Sequence, residues 1–544
     1  MSLTDEIPSL ISGEVATDEA DLKIASRDAS IFSVTPKAVT YPRDAEDIKS
    51  LVRYATAHAD EKVSLTARSG GTDMSGGPLN ESIIVDVSRH LNQVISINSH
   101  RATVQPGTFY RDFAKAILTK NLLLPSYPAS REIATVGGMV SNNSGGEKSL
   151  AFGKTEKFVE ELKVVLSDGN EYTFGKLSLK ELQAKMAQPD FEGDIYRQIV
   201  DLIDANEELI TAAKPKVSKN SAGYNLWNVY SDHAQQFNLA QLFVGAQGTL
   251  GIITEITFRL ITPAPHTQML VIFLPTTDEL GKIVNTVLRY HPESFESYDD
   301  HTVKLALKFF PQMVKQMGTN LISLAFQFLP EIKMLITGGA PHLVLLAEFT
   351  GNDKEEIHRR TRACQAALQQ FHLQTHLVKN TAEANKYWTI RRESFNLLRK
   401  KVKHKHTAPF IDDVVVRPDQ LPQFLPRLNE IMSQYNLIYT VAGHAGDANF
   451  HIIPLMDFTD PEQRAIIPEL SQKVYKLVFE FHGSISGEHN DGLIRSHFLP
   501  EMYGEQMYSL FKQVKNILDP KNIFNPGKKI DSDWAYAEKH IIQE

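Results

Sequence analysis

At 544 residues the chain exceeds what one compact core accommodates and is expected to form two to four domains. Its composition, 42% hydrophobic and 22% charged, is that of a globular protein and excludes a disordered, collagen-like or disulfide-stapled chain. A net charge of −8 argues against a nucleic-acid partner, which selects a basic footprint. The single cysteine, Cys364, cannot form an intrachain disulfide, a Cys-rich zinc module or an iron–sulfur cluster. Met1 to Asp21 is acidic and lacks the basic flank and apolar run of a secretory signal. No apolar run reaches the roughly 18 residues of a membrane span; the nearest, Gln316 to Pro330, holds Asn320, Ser323 and Gln327 and reads as a buried helix. The protein is expected in a reducing compartment.

In chain order, Asp44 to Ala59 reads as a helix capped by Asp44, with Ile48, Leu51, Val52 and Ala55 as its apolar stripe. Strands are predicted at Val63–Thr66, Ile83–Val87, Ala102–Val104 and Leu162–Leu166, separated by Gly-rich turns. The fold class is therefore α+β. Thr262-Pro263-Ala264-Pro265 is the clearest boundary, because two prolines within four residues disfavour helix and central strand alike. Strands follow at Thr267–Phe273 and Leu343–Phe349, among longer helices. The expected divisions are an N-terminal segment at 1–34, a domain at 35–262, a second α+β domain at 263–510 and a closing segment at 511–544 that includes the turn-rich run Asp519 to Lys528.

Three segments between predicted strands are rich in glycine. The first is Arg68-Ser69-Gly70-Gly71-Thr72-Asp73-Met74-Ser75-Gly76-Gly77, where missing Cβ atoms let successive N–H groups converge on an anion. It lacks the Lys and Ser/Thr of a Walker loop and the dinucleotide fingerprint, so alone it is a turn or a phosphate cradle. The second begins at Pro128 and runs through Thr135, Gly138, Ser141 and Asn142 to Gly145 and Gly146. The third surrounds Gly248, Gly251 and Ile252. Such segments suit backbone packed against a flat ligand.

In the second domain, Gly443-His444-Ala445-Gly446-Asp447-Ala448-Asn449-Phe450-His451 sets two histidines seven apart. On one strand an odd spacing would put them on opposite faces. A two-residue turn at Asp447-Ala448 would pair 444 with 451 and bring their Cβ atoms within about 5 Å. With Glu488 as third ligand the set would make a divalent metal site; surface or core histidine pairs are the commoner outcome of this spacing.

Together and in this order, the three glycine-rich segments resemble the FAD-binding domain of the vanillyl-alcohol oxidase / p-cresol methylhydroxylase superfamily, over about residues 35 to 262. The resemblance implies a two-subdomain FAD-binding domain followed by a substrate (cap) domain. It implies FAD contacts from Ser69, Gly70, Gly71, Thr72, Asp73, Ser75, Gly76, Pro128, Thr135, Gly138, Ser141, Asn142, Gly145, Gly248, Gly251 and Ile252. Relatives that bond flavin covalently often carry His in the first loop. Thr72 stands there in this chain, so non-covalent FAD is expected.

Gly443 to His451, followed by Gly487-Glu488-His489, is similar to the substrate domain of FAD-linked D-2-hydroxyacid dehydrogenases, a group spanning D-lactate, glycolate and D-2-hydroxyglutarate oxidation. The resemblance implies that His444, His451 and Glu488 hold a divalent metal, zinc by expectation, and that His489 is the catalytic base. Trp388-Thr389-Ile390-Arg391 matches the family's W-x-x-R, whose Arg holds the substrate carboxylate; Arg392 is expected on a solvated helix face. Asn525, in Asn525-Pro526-Gly527-Lys528, is expected to return to the FAD domain and to contact the FAD. Ala448 and Asn490 stand where many relatives have glycine, and Asp491 takes the variable place of the family's G-E-H-G-x-G; Asn490 can keep the left-handed turn, whereas Asp491 adds a charge with no evident purpose.

The implied activity is oxidation of a small-molecule D-2-hydroxy acid to the 2-oxo acid, with D-lactate the first expectation because no second carboxylate clamp is evident. Electrons would leave to a quinone, a cytochrome or an electron-transfer flavoprotein. The expected location is the cytoplasm, or peripheral contact with the inner face of the membrane. The alternatives are other chemistry on the same fold, such as that of alkylglycerone-phosphate synthase, or a non-catalytic FAD-binding subunit.

Overall fold

Asp44 caps its helix as its position predicts: the carboxylate accepts from the backbone N–H groups of Glu46 and Asp47 at 2.9 and 3.1 Å, and the helix spans Ala45–Ala57. Ile48, Leu51, Val52 and Ala55 are fully buried in one cluster with Leu65, Ile83 and Val85. Each large member of that stripe contributes roughly 1.5–3 kcal/mol of apolar burial.

The computed structural model of the chain describes residues 3–231, 235–299, 341–401 and 405–543. Gln316 to Pro330, expected as a buried helix, lies outside the described residues. Within those described, three sheets form. The first contains β1 (Glu14–Ala16), β2 (Ala38–Tyr41), β3 (Leu65–Arg68) and β4 (Ile83–Asp86) in the order β1-β2-β4-β3, parallel except for β1. β1 lies within the expected N-terminal segment but adds an edge strand to this sheet.

The second sheet is antiparallel, in the order β5-β6-β11-β7-β8-β10-β9: β5 (Val94–Asn98), β6 (Arg101–Val104), β7 (Val159–Val165), β8 (Glu171–Ser178), β9 (Tyr230–Ser231), β10 (Gln236–Asn238) and β11 (Ile252–Arg259). Past the Pro263/Pro265 pair the chain enters a third, antiparallel sheet. Its path is β15-β12-β14-β13-β18-β19-β16: β12 (His266–Leu274), β13 (Ser294–Asp299), β14 (Leu343–Gly351), β15 (Gln374–Leu377), β16 (His406–Thr407), β18 (Ile438–His444) and β19 (Asn449–Met456), with β17 (Val414–Val415) also on β19.

The helix Leu499–Leu518, kinked at Gly504, runs through the expected division at 510/511. Beyond it the tail returns to the first sheet. The Leu65 N–H donates to the Ile523 carbonyl at 2.8 Å, and the Asn525 N–H donates to the Leu65 carbonyl at 2.9 Å. Ile523 and Phe524 are fully buried there, so the last turns of the chain brace the strand that leads into the first glycine-rich loop.

Candidate functional site

The three glycine-rich segments, far apart in sequence, line one cavity of about 810 Å³. Ser69, Gly70, Gly71, Thr72, Asp73, Pro128, Thr135, Gly138, Ser141, Asn142, Gly145, Gly248 and Gly251 all face it. Asp73 ties the segments together: Oδ2 accepts from Asn142 Nδ2 at 2.9 Å and from Gln247 Nε2 at 3.1 Å. Thr135 Oγ1 donates to Ser69 Oγ at 2.5 Å. Gly71 has φ of +64°, the left-handed region that favours glycine.

Four expected contacts lie elsewhere. Ile252 packs in the core with Leu65 and Val165. Ser75 is buried, donating to Asp73 at 2.6 Å and accepting from Gln247 at 3.0 Å. Gly76 backs onto Phe32 and Leu493, which a Cβ would meet. Asn525 is fully buried and donates to the carbonyls of Gly77 and Gln247 at 2.9 and 2.7 Å. These residues brace the loops that face the cavity, and they stand behind the cavity wall.

The same cavity reaches His444, His451, Glu488, His489, Arg391 and Arg392. The β18–β19 hairpin pairs His444 with Asn449 and Ala442 with His451, two residues away from the expected register, because the connection is a one-turn helix at Ala445–Asp447 with Ala448 left-handed. A shift of two preserves the face each side chain occupies. The two imidazoles therefore still meet, with ring centroids 5.3 Å apart.

His444 Nε2 lies 2.9 Å and His451 Nε2 3.5 Å from Glu488 Oε1. On the far side of each ring, Nδ1 is held by a carboxylate: Glu296 at 2.7 Å for His444 and Asp412 at 3.0 Å for His451. Metal-bound histidines are oriented in this way, so the three side chains fit a divalent ion among two Nε2 atoms and one carboxylate oxygen. A second grouping, Asp412 with His451 and His489, shares His451.

His489 diverges from its neighbour Glu488. Its Nδ1 lies 2.6 Å from Asp412 Oδ2, and its ring stacks on His451 at 4.9 Å. Asp413 receives the backbone N–H groups of Glu488 and His489 at 2.8 and 2.7 Å, fixing both residues. Asn490 is left-handed at φ +70°, as its side chain permits. Asp491 acquires a purpose: buried, it pairs with Lys529 Nζ at 2.8 Å and accepts from the Gly223 N–H at 2.9 Å, joining the His489 loop to the C-terminal tail.

Electrostatics follow from this packing. Burial alone would depress His451, but Asp412 and Glu488 outweigh it and carry it to about 10. His444 is likewise raised against burial, by Glu296 and then Glu488. Burial opposes ionisation of Glu488, yet the buried Lys219 ammonium at 3.2 Å and His444 hold it well below the usual carboxylate range. Burial likewise opposes Glu296, which His444 and Arg391 bring below the ordinary value.

Arg391 and Arg392 leave the helix Thr381–Lys401 in different directions. Arg391 Nη2 sits 3.3 Å from Glu296 Oε2, which joins it to His444. Arg392 is not on a solvated face: its guanidinium pairs with Glu147 at 2.6 and 3.2 Å, between helix and second glycine-rich segment, and lies over Trp388. Arg131 also faces Glu147, at 3.7 Å.

Glu296, Asp412, Asp413 and Lys219 escaped the sequence reading. Asp412-Asp413 carried a signal, two adjacent acids inside the apolar run Phe410 to Val416, and Glu296 sits on a strand buried along its whole length. Lys219 carried none.

Residues 36–175 match the FAD binding domain family and residues 264–529 match FAD linked oxidases, C-terminal domain. D-2-hydroxyglutarate dehydrogenase of Pseudomonas putida is 30% identical over 95% of this chain and 50% of its own length. The chain thus spans about half the length of that relative. D-lactate dehydrogenase of Archaeoglobus fulgidus is 25% identical over 97% of this chain and 99% of its own, and glycolate oxidase subunit GlcD of Bacillus subtilis is 26% identical over 94% and 92%. Among solved structures, 4-ethylphenol oxidase from Gulosibacter chungangensis superposes with a TM-score of 0.68 at 18% identity, over 97% of this chain and 96% of that one. p-Cresol methylhydroxylase gives 0.67 at 14% identity over 97% and 96%. Alkyldihydroxyacetonephosphate synthase gives 0.62 at 14% identity over 94% and 83%. With both matched domains in order and the glycine-rich segments gathered on one cavity, the chain carries an FAD binding domain followed by a C-terminal domain of FAD linked oxidases, on the fold shared with p-cresol methylhydroxylase.

Proposed function

We propose that the chain is a dehydrogenase that oxidises a D-2-hydroxy acid to its 2-oxo acid, with non-covalent FAD and a divalent metal, zinc by preference. The single observation that carries this reading is one cavity joining the three glycine-rich segments to His444, His451, Glu488, His489 and Arg391. FAD held by the glycine-rich segments would supply a hydride acceptor for the substrate's Cα–H, and a divalent ion held by His444, His451 and Glu488 would supply a Lewis acid for the α-hydroxyl. Arg391 binds the substrate carboxylate by a charge-assisted pair, its guanidinium kept on the cavity wall by Glu296. His489 takes the hydroxyl proton at Nε2, because its Nδ1 is committed to Asp412. The proton and the hydride leave together as two electrons and two protons' worth of hydrogen, and the 2-oxo acid remains. Electrons then pass to an external quinone, cytochrome or electron-transfer flavoprotein, in the cytoplasm or at the inner face of the membrane. Among the described residues, no helix is long and apolar enough to cross a membrane.

Within this class, one observation favours a dicarboxylate such as D-2-hydroxyglutarate over D-lactate. Arg131 and Arg392 both line the cavity beside Glu147, Arg131 also facing the largely exposed Glu132 at 3.6 Å, and two guanidinium groups on one wall suit a second substrate carboxylate. Anaerobic mixing of the FAD-loaded enzyme with D-lactate, D-2-hydroxyglutarate and their L-enantiomers tests the proposal. Bleaching of the flavin's visible band by a D-acid supports it, and a flavin left oxidised by every acid rejects it.

A further inference from the structure

Asp412 is fully buried at the end of the run that leads into β17, and its two carboxylate oxygens serve two different histidines. Oδ1 faces His451 Nδ1 at 3.0 Å, and Oδ2 faces His489 Nδ1 at 2.6 Å. The rings are stacked with an interplanar angle of 24°, and each turns its Nδ1 toward the same carboxylate. An ionised carboxylate only accepts hydrogen bonds, so each Nδ1 facing it must carry a proton. With the proposed divalent ion held among His444, His451 and Glu488 the His451 ring is neutral, and Nε2, 3.5 Å from Glu488 Oε1, is then its lone-pair nitrogen; His489 lines the same cavity with its Nδ1 committed to Asp412.

The placement of Asp412 is itself over-determined. Arg495 Nη2 donates to the Asp412 carbonyl at 2.9 Å and Nη1 donates to the Asn490 carbonyl at 3.1 Å, bracketing the loop that carries His489. Asp413 holds the His489 backbone, as described above, and accepts from Asn449 Nδ2 at 3.0 Å, two residues from His451.

We propose that Asp412 is a positioning residue that sets the tautomer of two histidines at once, so that one carboxylate makes His451 a metal ligand and His489 a base. The inference rests on the roles proposed above for His451 and His489. It requires that removing one acceptor oxygen from Asp412 disturbs at least one of the two functions.

Asp412→Asn is the direct test, because the amide keeps the shape but offers one acceptor and one donor. One of the two histidines must then turn to the Nε2–H form. If His489 turns, flavin reduction by the D-2-hydroxy acid at saturating zinc slows by about 10²- to 10⁴-fold, the worth of a positioned base. If His451 turns, zinc affinity read by elemental analysis after dialysis against graded zinc falls about 10- to 100-fold, the usual effect of losing a ligand's supporting group. FAD content should match wild type. Asp412→Asn/His489→Asn at saturating zinc should reduce flavin no more slowly than His489→Asn alone, since both changes act through one side chain.

Wild-type zinc affinity together with a wild-type reduction rate in Asp412→Asn overturns the inference, as does a double variant whose losses multiply. If Asp412→Asn does not fold, nitrogen-15 NMR of zinc-loaded, histidine-labelled wild type decides: Nδ1–H forms at both His451 and His489 support the inference, and a neutral ring protonated at Nε2 in either overturns it. Failure of the functional proposal has a different signature. No D- or L-2-hydroxy acid would then bleach wild-type flavin, whereas failure of the Asp412 inference leaves wild-type reduction intact.

Discussion

Replacing Arg391 by alanine separates substrate binding from cofactor binding. The guanidinium lies on the cavity wall with its side chain 12% exposed, braced by Glu296 at 3.3 Å. A substrate carboxylate there is largely desolvated, and truncating one partner of such a hydrogen-bonded charge pair costs about 2–5 kcal/mol. At 1.4 kcal/mol per tenfold, substrate affinity should fall about 30- to 4,000-fold. A second effect accompanies the first. Glu296 loses a cation and keeps His444 at 2.7 Å, so the histidine that is to hold the metal becomes the main partner of a buried carboxylate. Arg391→Lys restores the charge beside Glu296 but not the planar fork, and should recover the part of the loss that comes from Glu296. Stopped-flow flavin reduction over a range of D-lactate and D-2-hydroxyglutarate concentrations reads apparent Kd and limiting rate separately, and flavin absorbance reads FAD content. Arg392→Ala should leave Glu147 with Tyr127 and Arg131, and should weaken D-2-hydroxyglutarate more than D-lactate. If Arg392→Ala weakens D-lactate as much as Arg391→Ala does, the carboxylate has been assigned to the wrong arginine.

Acid precipitation should release FAD into the supernatant: Thr72 stands in the first loop, and among the described residues the histidines on the cavity wall are His444, His451 and His489, each held by a carboxylate. Flavin that stays with the pellet would reveal a covalent bond. Dialysis against a chelator should abolish turnover and leave FAD bound, with zinc restoring activity; stoichiometric activity in protein free of divalent metal would refute the metal site. Lys528, buried in the C-terminal tail, is pulled down to about 7 by burial, against the attraction of Asp28 and Glu81. Between about pH 7 and its ordinary 10.5 the unfolded chain holds a proton that the folded chain lacks, so this lysine's penalty is full below that window and shrinks as pH rises, by roughly 5 kcal/mol at most. Lys528→Met should therefore raise the Tm more at pH 7 than at pH 9, and an equal gain at both would refute the sign.

What the sequence determined alone was local or periodic. The Asp44 cap, the buried stripe of its helix and the left-handed Asn490 depend on neighbours within a turn or two. The shared face of His444 and His451 follows from the two-residue period of a strand, and it survived a register that moved by two because that move returns every side chain to its own face. The register itself belonged to the turn, where Ala445 to Asp447 coil once more than a two-residue hairpin allows. Tertiary structure alone supplied Glu296 and Asp412 behind the histidines, Lys219 beside Glu488, Glu147 against Arg392, and the separation of Ser75, Gly76, Ile252 and Asn525 from the cavity. Those partners stand tens to hundreds of positions apart, and no periodicity reaches across such a gap. Burying a charge without a partner is costly, so the fold had to bring each one to its counterpart, and only the path of the chain in space records which.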